Sequence, residues 1–439
     1  MSTGSNPIAE IEKRARIEAM IRKGMDDARR REWQPTPPKR LYLWAPLDDQ
    51  PRIAAWLDWK DEIGTFRYTP EWLGAEGAYA LEPINLPMAE AAIEATENRG
   101  IPGVVADAGP DSWGSRILEW TLHDGPRNAF EKVLACAGRG VGALVATSVE
   151  DASPPFARRT NHDDPLDPIE HACWTIVEGV ERDTAMDDLL RNHCIGLGGA
   201  RAKAAVVLGG REVISKFQNT KWDYWDIPRV EAACLATARH AGIDVVTATL
   251  GSANDRSVLL VDRFDRKDGK PIHYLSARSL LNAFGDAEME TRPPQGRATY
   301  AAIVAAAHRI GVEGAGKEMF RRMAFNYAIG NTDDHLRNHG FLFNGWWRLA
   351  PAFDLVVIGG PAHEIGLGKN GLQRTRENVL SRVKDFGLTL ADATGLLDQA
   401  IDAARGMRAE LDRLGVTPKQ RDQVVGRLCA EAKGCRPMI

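Results

Sequence analysis

The segment at residues 331–355, NTDDHLRNHGFLFNGWWRLAPAFDL, restricts the fold of this chain more than any other stretch. An Asn-Gly dipeptide at 344–345 separates two short apolar runs, and this pattern predicts a β-hairpin with a type I′ turn. Asp333 and Asn338 precede the predicted hairpin, and Asp354 follows its second strand directly. The order along the chain is therefore carboxylate, carboxamide, hairpin, carboxylate.

This order of side chains suits phosphoryl transfer to a hydroxyl group. Such a reaction needs an aspartate that orients the hydroxyl and accepts its proton, followed by an asparagine and a second aspartate that hold Mg²⁺ against nucleotide phosphates. Protein kinases have the same order in D-x-x-x-x-N, hairpin, D-F-G. Single Asp and Asn residues in turns often only cap the backbone, so the prediction depends on the joint pattern.

A second interpretation of the same segment makes it a zinc site, as in a metallohydrolase. His335 and His339 would be the ligands, beside Asp333 and Asp334. Ligands at this spacing need a helix through both histidines. Gly340 and the strand-like run FLF that follows it argue against such a helix, so zinc is the weaker alternative.

A glycine-rich stretch at residues 196–217, GLGGARAKAAVVLGGREVISKF, predicts a loop followed by a β-hairpin that turns at 209–210. Pairing of the two strands would return Lys216 to the level of the loop at 198–199. Its ammonium group would then face a set of backbone N–H groups, which can cradle phosphates. Taken alone, the stretch is equally consistent with a glycine-rich hairpin that carries a surface lysine.

Two further segments could contribute to the same site. A helix is predicted to begin at Asp226 and to end at Gly242, and it carries Glu231 as a possible partner for the hairpin lysine. A surface glutamate is the alternative. The run SVLLVDRFDR at 257–266 predicts a buried strand, and a nucleotide base could bond to the backbone near its end at 262–264.

The motifs GGARAK, VISKF, DRFDR, NTDDHLRN and PAFDL, in this order and spacing, resemble those of the HipA-type serine/threonine kinase toxins. FRYTPEWL (66–73) and ADAGPDSWGSRIL (106–118) are similar to the N-terminal subdomain of that family, so the likeness covers about residues 40–400 and leaves 1–38 outside. The resemblance implies ATP and Mg²⁺ as reactants and a bacterial toxin–antitoxin pair with a small helix-turn-helix antitoxin. Family members with known targets phosphorylate aminoacyl-tRNA synthetases.

Carried over residue by residue, the resemblance implies Asp333 as the catalytic aspartate, Asn338 and Asp354 as magnesium ligands, and Lys216 as the phosphate-binding lysine. The implied nucleotide-binding residues are Gly198, Gly199, Ala200, Arg201, Ala202, Lys203, Lys216, Asp262, Arg263, Phe264, His335, Leu336, Arg337, Asn338, Phe353 and Asp354. One departure is Gly196, where the best-known members carry a self-phosphorylated serine. Residues 185–214 contain no Ser, Thr or Tyr, so we expect this chain to lack that switch.

The predicted fold class is α+β, a protein-kinase-like two-lobed fold with a small N-terminal α/β subdomain and a mostly helical C-terminal lobe. The predicted divisions are an N-terminal helical extension (1–38), a HipA-like N-terminal subdomain (39–150), a small lobe with the nucleotide loop (151–270), and a helical lobe with the catalytic loop (271–439). Periodicity and turn residues predict helices over 8–32, 88–98, 112–123 and 168–190, strands over 204–208, 211–217, 245–250 and 257–264, and a loop over 150–168.

Composition limits the remaining function classes. The net charge of −4 over 439 residues gives no general attraction to nucleic acid or membranes. The resemblance implies that DNA would be contacted only through the antitoxin. Six cysteines without a C-x-x-C pair, no signal peptide and no apolar stretch of membrane length predict a cytoplasmic protein. An ATP-dependent kinase toxin is therefore the leading hypothesis. The alternative is a kinase-like binding module that acts mainly as a co-repressor with a DNA-binding antitoxin.

Overall fold

The computed structural model describes residues 39–121, 126, 128–151, 163–179, 184–219, 223–284 and 298–433. The predicted helix over 8–32 and most of the predicted loop over 150–168 lie outside these residues. From residue 40 onward the chain forms one compact unit, and the domain boundaries within it stay a prediction. No helix in the described part of the chain is long and apolar enough to cross a membrane.

The N-terminal subdomain, residues 39–147, is built on a five-stranded sheet with the order β4-β3-β2-β1-β5. Its strands are β1 (Lys39–Leu47), β2 (Gln50–Lys60), β3 (Ile63–Tyr68), β4 (Ile93–Ala95) and β5 (Val145–Thr147). Alternate side chains such as Leu41, Leu43 and Ala45 are buried, as expected for a sheet with one face on the core. The two-residue turn at Asp48-Asp49 takes positive φ angles of 51° and 62°, which type I′ hairpins require.

Four short helices belong to this subdomain. They are α1 (Pro70–Leu73), α2 (Gly103–Asp107), α3 (Ser112–Thr121) and α4 (Ala129–Cys136). The predicted helix at 112–123 is confirmed as α3, whereas the helix predicted over 88–98 is wrong. Part of that segment pairs with β3 as the edge strand β4, and Asn98 and Arg99 take left-handed backbone conformations. Pairing with a neighbouring strand thus overrides the local helical pattern.

A four-stranded antiparallel sheet forms the small lobe, with the order β6-β7-β9-β8. Its strands are β6 (Lys203–Leu208), β7 (Arg211–Phe217), β8 (Ala248–Ala253) and β9 (Arg256–Asp262). The predicted turn at Gly209-Gly210 is confirmed, with φ of 56° and 74°. The strand predicted over 245–250 begins three residues later than expected.

Helices cover both faces of the small-lobe sheet. Helices α5 (Leu166–Glu178) and α6 (Thr184–His193) pack on one face, and α7 (Ile227–His240) packs on the other. The single helix predicted over 168–190 is two helices, because Gly179 ends α5 in a left-handed conformation with φ 70°. The predicted start of α7 is confirmed, since the Asp226 side chain accepts a hydrogen bond from the Arg229 N–H.

The C-terminal part is mostly helical, as predicted. After a short two-stranded ribbon of β10 (Arg266–Lys267) and β11 (Lys270–Pro271), the strands β12 (His273–Ser276), β13 (Gly340–Phe343) and β14 (Trp347–Leu349) form a three-stranded sheet. The helices are α8 (Ala277–Leu280), α9 (Tyr300–Arg309), α10 (Ala315–Ile329), α11 (Arg376–Leu380), α12 (Leu390–Arg405), α13 (Met407–Arg413) and α14 (Pro418–Val425).

The hairpin predicted around residues 344–345 is present, but its turn type is not the predicted one. Phe343 pairs with Trp347, which leaves a three-residue loop between β13 and β14. Only Gly345 in this loop has a positive φ, of 88°, whereas a type I′ turn needs two such residues. The exposed Trp346 occupies the extra position in the loop.

Candidate active site

Lys216 lies at the centre of the candidate site. Its neighbours on β7, Ser215 and Phe217, face the α5–α6 side of the sheet, so Lys216 faces α7. Its Nζ lies 2.5 Å from Glu231 Oε1 and 2.7 Å from Asp354 Oδ1. The predicted pairing of Lys216 with Glu231 is confirmed, and the same ammonium group also contacts the aspartate that follows the β13–β14 hairpin.

This contact keeps both groups charged. The ammonium of Lys216, with that of Lys203 behind it, lowers the pKa of Asp354 well below its usual range. Burial alone would lower the pKa of Lys216, but Asp354 and Glu231 outweigh it and raise that pKa above its usual value. Asp354 also has a left-handed backbone with φ 58°, a conformation that few residues other than Gly, Asn and Asp adopt.

Lys203 supplies a second ammonium group on the neighbouring strand. It pairs directly across from Lys216 in the β6–β7 register. A Cβ added at Gly199 would lie 2.8 Å from Lys203 Nζ, so this ammonium sits against the glycine-rich loop. Burial lowers its pKa, while the nearby Asp354 opposes that shift. The two lysines therefore place two positive charges close together beside the glycine-rich loop.

The loop between α10 and β13 contains a buried carboxylate, Asp334, that is bonded to residues on both sides of it. Asp334 accepts hydrogen bonds from the Tyr300 hydroxyl and from His339, whose Nε2 lies 2.9 Å away. Asn326 on α10 donates to the same tyrosine oxygen at 3.0 Å. These contacts fix the two ends of the segment that runs from Asp333 to a 3₁₀ turn at Leu336–Asn338. No local pattern in the sequence indicates a role for Tyr300 or Asn326.

The Asp333 side chain is exposed to solvent. Partial burial of its carboxyl raises its pKa, and the negative charges of Asp354 and Asp334 act in the same direction. His335 and Arg201 oppose the shift. Asp333 therefore lies within electrostatic range of Asp354 and of Arg201 on the glycine-rich loop.

The zinc interpretation finds no support in this geometry. His339 is bonded to Asp334, and His335 precedes a 3₁₀ turn rather than sharing an α-helix with His339. Within the described residues, no group of three or more His, Cys, Asp or Glu side chains is arranged to hold a metal ion. The remaining candidate ligands are the oxygens of Asp354 and Asn338, which suit a hard cation such as Mg²⁺.

The predicted base-binding segment at 262–264 lies at the end of β9. The Asp262 N–H donates to Thr247 O at 2.9 Å and the Arg263 N–H donates to Glu212 O at 3.2 Å, so both amides are already bonded within the protein. Phe264 stacks on Phe353 with ring centroids 5.1 Å apart. This stacked pair places the end of the segment beside Asp354.

Two family models match this chain. Residues 49–147 match the HipA N-terminal domain, and residues 195–412 match the HipA-like C-terminal domain. The chain belongs to the HipA family. The HipA protein of Shewanella oneidensis MR-1, solved in a complex with HipB and its operator DNA, is 16% identical. The match covers 90% of this chain and 98% of that one with a TM-score of 0.65, which shows the same kinase-like two-lobed fold.

Two curated relatives are more similar in sequence. This HipA family member is 24% identical over 312 residues to "Putative kinase Y4mE" of Sinorhizobium fredii. The match covers 67% of this chain and 72% of the relative. It is 27% identical over 139 residues to a "Putative kinase" of Haemophilus influenzae, which covers 29% of this chain and 40% of that protein.

Gly196, the departure noted above, is explained by close backbone packing in this HipA family member. A Cβ at Gly196 would lie 1.9 Å from Arg139 O and 2.6 Å from Gly140 N. No side chain fits there unless the segment before the nucleotide loop moves. A serine at this position would therefore displace the segment even before any phosphate is added.

We expect Gly196→Ala to destabilise the protein by about 1–3 kcal/mol, because the added methyl group meets backbone atoms that cannot rotate away. Thermal or urea unfolding measures this effect. Gly395→Ala is the matched control, since a Cβ on that helical glycine meets nothing within 4 Å. The control is expected to be stabilised by about 0.5–1 kcal/mol. Equal effects of the two substitutions would contradict the packing account.

Proposed function

We propose that this HipA family member is an ATP- and Mg²⁺-dependent protein serine/threonine kinase that acts as the toxin of a toxin–antitoxin pair. The observation that carries the proposal is the position of the Lys216 ammonium between Glu231 and Asp354. Asp333, on the proposed catalytic loop, interacts electrostatically with the same Asp354. Phosphoryl transfer to a hydroxyl needs a phosphate-binding lysine, a metal-binding aspartate and a second aspartate near the acceptor.

The chain supplies charge on both sides of the reacting phosphate. Lys216 and Lys203 would bind the nucleotide phosphates through their ammonium groups, since Lys203 lies against the glycine-rich loop and Lys216 pairs across from it. Asp354 stays ionised at neutral pH and is half-buried, so its carboxylate, with the Asn338 carboxamide, fits a hard cation. When bound there, Mg²⁺ would neutralise the charge on the phosphate oxygens.

Asp333 would orient the acceptor hydroxyl and take its proton. The hydroxyl oxygen forms a bond to the γ-phosphorus of ATP, the bond to the bridging oxygen breaks, and ADP leaves with that electron pair. Partial burial raises the pKa of Asp333, which makes its carboxylate a better proton acceptor than an ordinary surface aspartate. Asp334 below it would keep the loop in the geometry that this step needs.

The partners are proposed from the comparisons. The solved HipA protein of Shewanella oneidensis forms a complex with HipB and operator DNA. We therefore propose a small helix-turn-helix antitoxin as partner, with DNA contacted only through it, in the cytoplasm. The proposed substrate is a translation-related protein such as an aminoacyl-tRNA synthetase.

The test is phosphate transfer by the purified full chain to proteins of a bacterial extract, with an Asp333→Ala variant beside it. We expect transfer that depends on added Mg²⁺ and is unaffected by zinc chelators. Stoichiometric zinc by elemental analysis, with activity lost on chelation, would instead support the metallohydrolase. Toxicity of the Asp333→Ala variant equal to that of wild type would favour the co-repressor alternative.

A further inference from the structure

The glycine-rich loop at 198–203 is attached to the N-terminal subdomain at Gly199 and at Lys203. The contacts come from residues 111–114, at the start of α3. A Cβ at Gly114 would lie 1.9 Å from Ile195 O, so the two backbones touch just before the loop begins. No local pattern in this stretch of the sequence indicates a role for any of its residues.

Trp113 bonds to both ends of the loop. Its backbone N–H donates to Gly199 O at 2.9 Å, and its indole Nε1 donates to Lys203 O at 2.9 Å. The tryptophan side chain itself is buried in the core between α3, α5 and α6. The loop is therefore attached to a rigid part of the protein.

Asp111 contacts both the glycine-rich loop and the segment at Leu336–Asn338. Its Oδ2 accepts a hydrogen bond from the Gly199 N–H at 3.0 Å and lies 3.6 Å from Arg337 Nε on the catalytic loop. Burial alone would raise the pKa of Asp111, but Arg337 and the backbone donors outweigh it and lower that pKa. One carboxylate thus joins the nucleotide loop to the catalytic loop.

We propose that Asp111 is a positioning residue for the nucleotide, a role that rests on the proposed kinase function. Gly199 has a φ of 80° and glycine is the most flexible residue, so without Asp111 the Gly199 backbone, still bonded to Trp113 through its carbonyl, would sample more conformations. The hydrogen bond from Gly199 to Asp111 selects one of them before ATP arrives. Arg337 offsets the carboxylate charge, which limits its repulsion of the phosphates.

Asp111→Ala is expected to raise the KM for ATP by about tenfold. The free energy lost with one hydrogen bond to a charged group corresponds to a change in affinity of about that size. We expect kcat to change by no more than about threefold, because bound ATP would restore the loop conformation. Asp111→Asn keeps an acceptor for the Gly199 N–H and is expected to recover most of the affinity.

Hydrogen exchange of the peptide that contains residues 195–203 tests the tether without nucleotide. We expect faster exchange in Asp111→Ala and near-normal exchange in Asp111→Asn, at unchanged exchange elsewhere. Glu119→Ala is the matched control, since Glu119 lies on the same helix, is half-exposed and pairs only with Lys132 among the contacts described. It should leave both exchange and KM unchanged.

The outcomes separate this inference from the proposed function. If wild type binds no Mg-ATP, the kinase proposal fails, while the exchange experiment still decides whether Asp111 orders the loop. Unchanged exchange and unchanged KM in Asp111→Ala would overturn the inference. Tighter ATP binding by that variant would also overturn it, because the carboxylate would then be competing with phosphate.

Discussion

Asp333→Ala is expected to reduce phosphotransfer by about 10²–10⁴-fold while leaving the affinity for Mg-ATP near that of wild type. The Asp333 side chain is exposed and lies outside the core, so its loss should not unfold the protein. The missing carboxylate would otherwise orient the acceptor hydroxyl and take its proton, and general-base catalysis contributes about this factor. Transfer of labelled phosphate and titration calorimetry measure the two quantities separately.

Asp354→Ala should reduce both the rate of phosphotransfer and the affinity for Mg-ATP. This carboxylate is the proposed metal ligand and also bonds to Lys216 at 2.7 Å, so its removal takes away an oxygen ligand and releases the lysine. We expect Mg-ATP affinity to fall by about tenfold or more. Asp398→Ala, at an exposed ion pair with Arg376, is the control for a lost surface charge. Calorimetry in which both site variants bind Mg-ATP like wild type would contradict the division of roles.

Asp265→Ala is expected to lower the free energy of unfolding by about 3–5 kcal/mol, because it leaves a buried guanidinium without its partner. The Asp265 carboxylate is buried and accepts from Arg263 at 2.6 and 2.9 Å and from Arg266 at 2.9 Å. It also accepts from the Gly142 N–H at 2.7 Å, which ties the N-terminal subdomain to the end of β9.

Urea unfolding measures this effect, and Asp58→Ala is its control. Asp58 pairs with Arg40 at 2.6 Å on the surface, where a pair contributes only about 0–1 kcal/mol. A loss in Asp265→Ala no larger than the loss in Asp58→Ala would show that the buried pair does not stabilise the fold.

The contribution of Asp265 should depend on pH. Burial alone would raise the pKa of Asp265, but the guanidinium groups of Arg263 and Arg266 outweigh it and hold the pKa well below its usual range. A carboxyl group with a lower pKa in the folded state stabilises the fold fully above its unfolded pKa of about 3.9. The difference between wild type and Asp265→Ala should therefore be constant near neutral pH and shrink as the pH falls below about 4.

Local patterns in the sequence predicted much of the candidate site. The Gly-Gly turn and the alternation on either side of it placed Lys216 opposite the glycine-rich loop, and the capping Asp226 placed Glu231 within reach of it. The order of Asp333, Asn338 and Asp354 around one hairpin predicted a phosphoryl-transfer site there, and the hairpin is present in the structure. Each of these inferences needed only the period of one element and the turn that follows it.

Contacts between distant segments could not be predicted in this way. Asp111 is 88 residues from Gly199, and Gly142 is 123 residues from Asp265, so no local pattern indicates either bond. The mistaken helix over 88–98 has the same cause, because pairing with β3 decides that segment's conformation. The prediction of a type I′ turn at 344–345 was wrong because the strand register, rather than the Asn-Gly dipeptide, sets the loop length.

Incubation of the purified full chain with Mg²⁺, γ-labelled ATP and proteins of a bacterial extract tests the central claim most directly. The proposed function predicts label on serine or threonine of particular proteins, identified by mass spectrometry, with wild type but not with Asp333→Ala. Both proteins must show the same unfolding transition for the comparison to hold. A folded wild type that transfers no phosphate, or an Asp333→Ala variant that transfers as much as wild type, would contradict the proposed function.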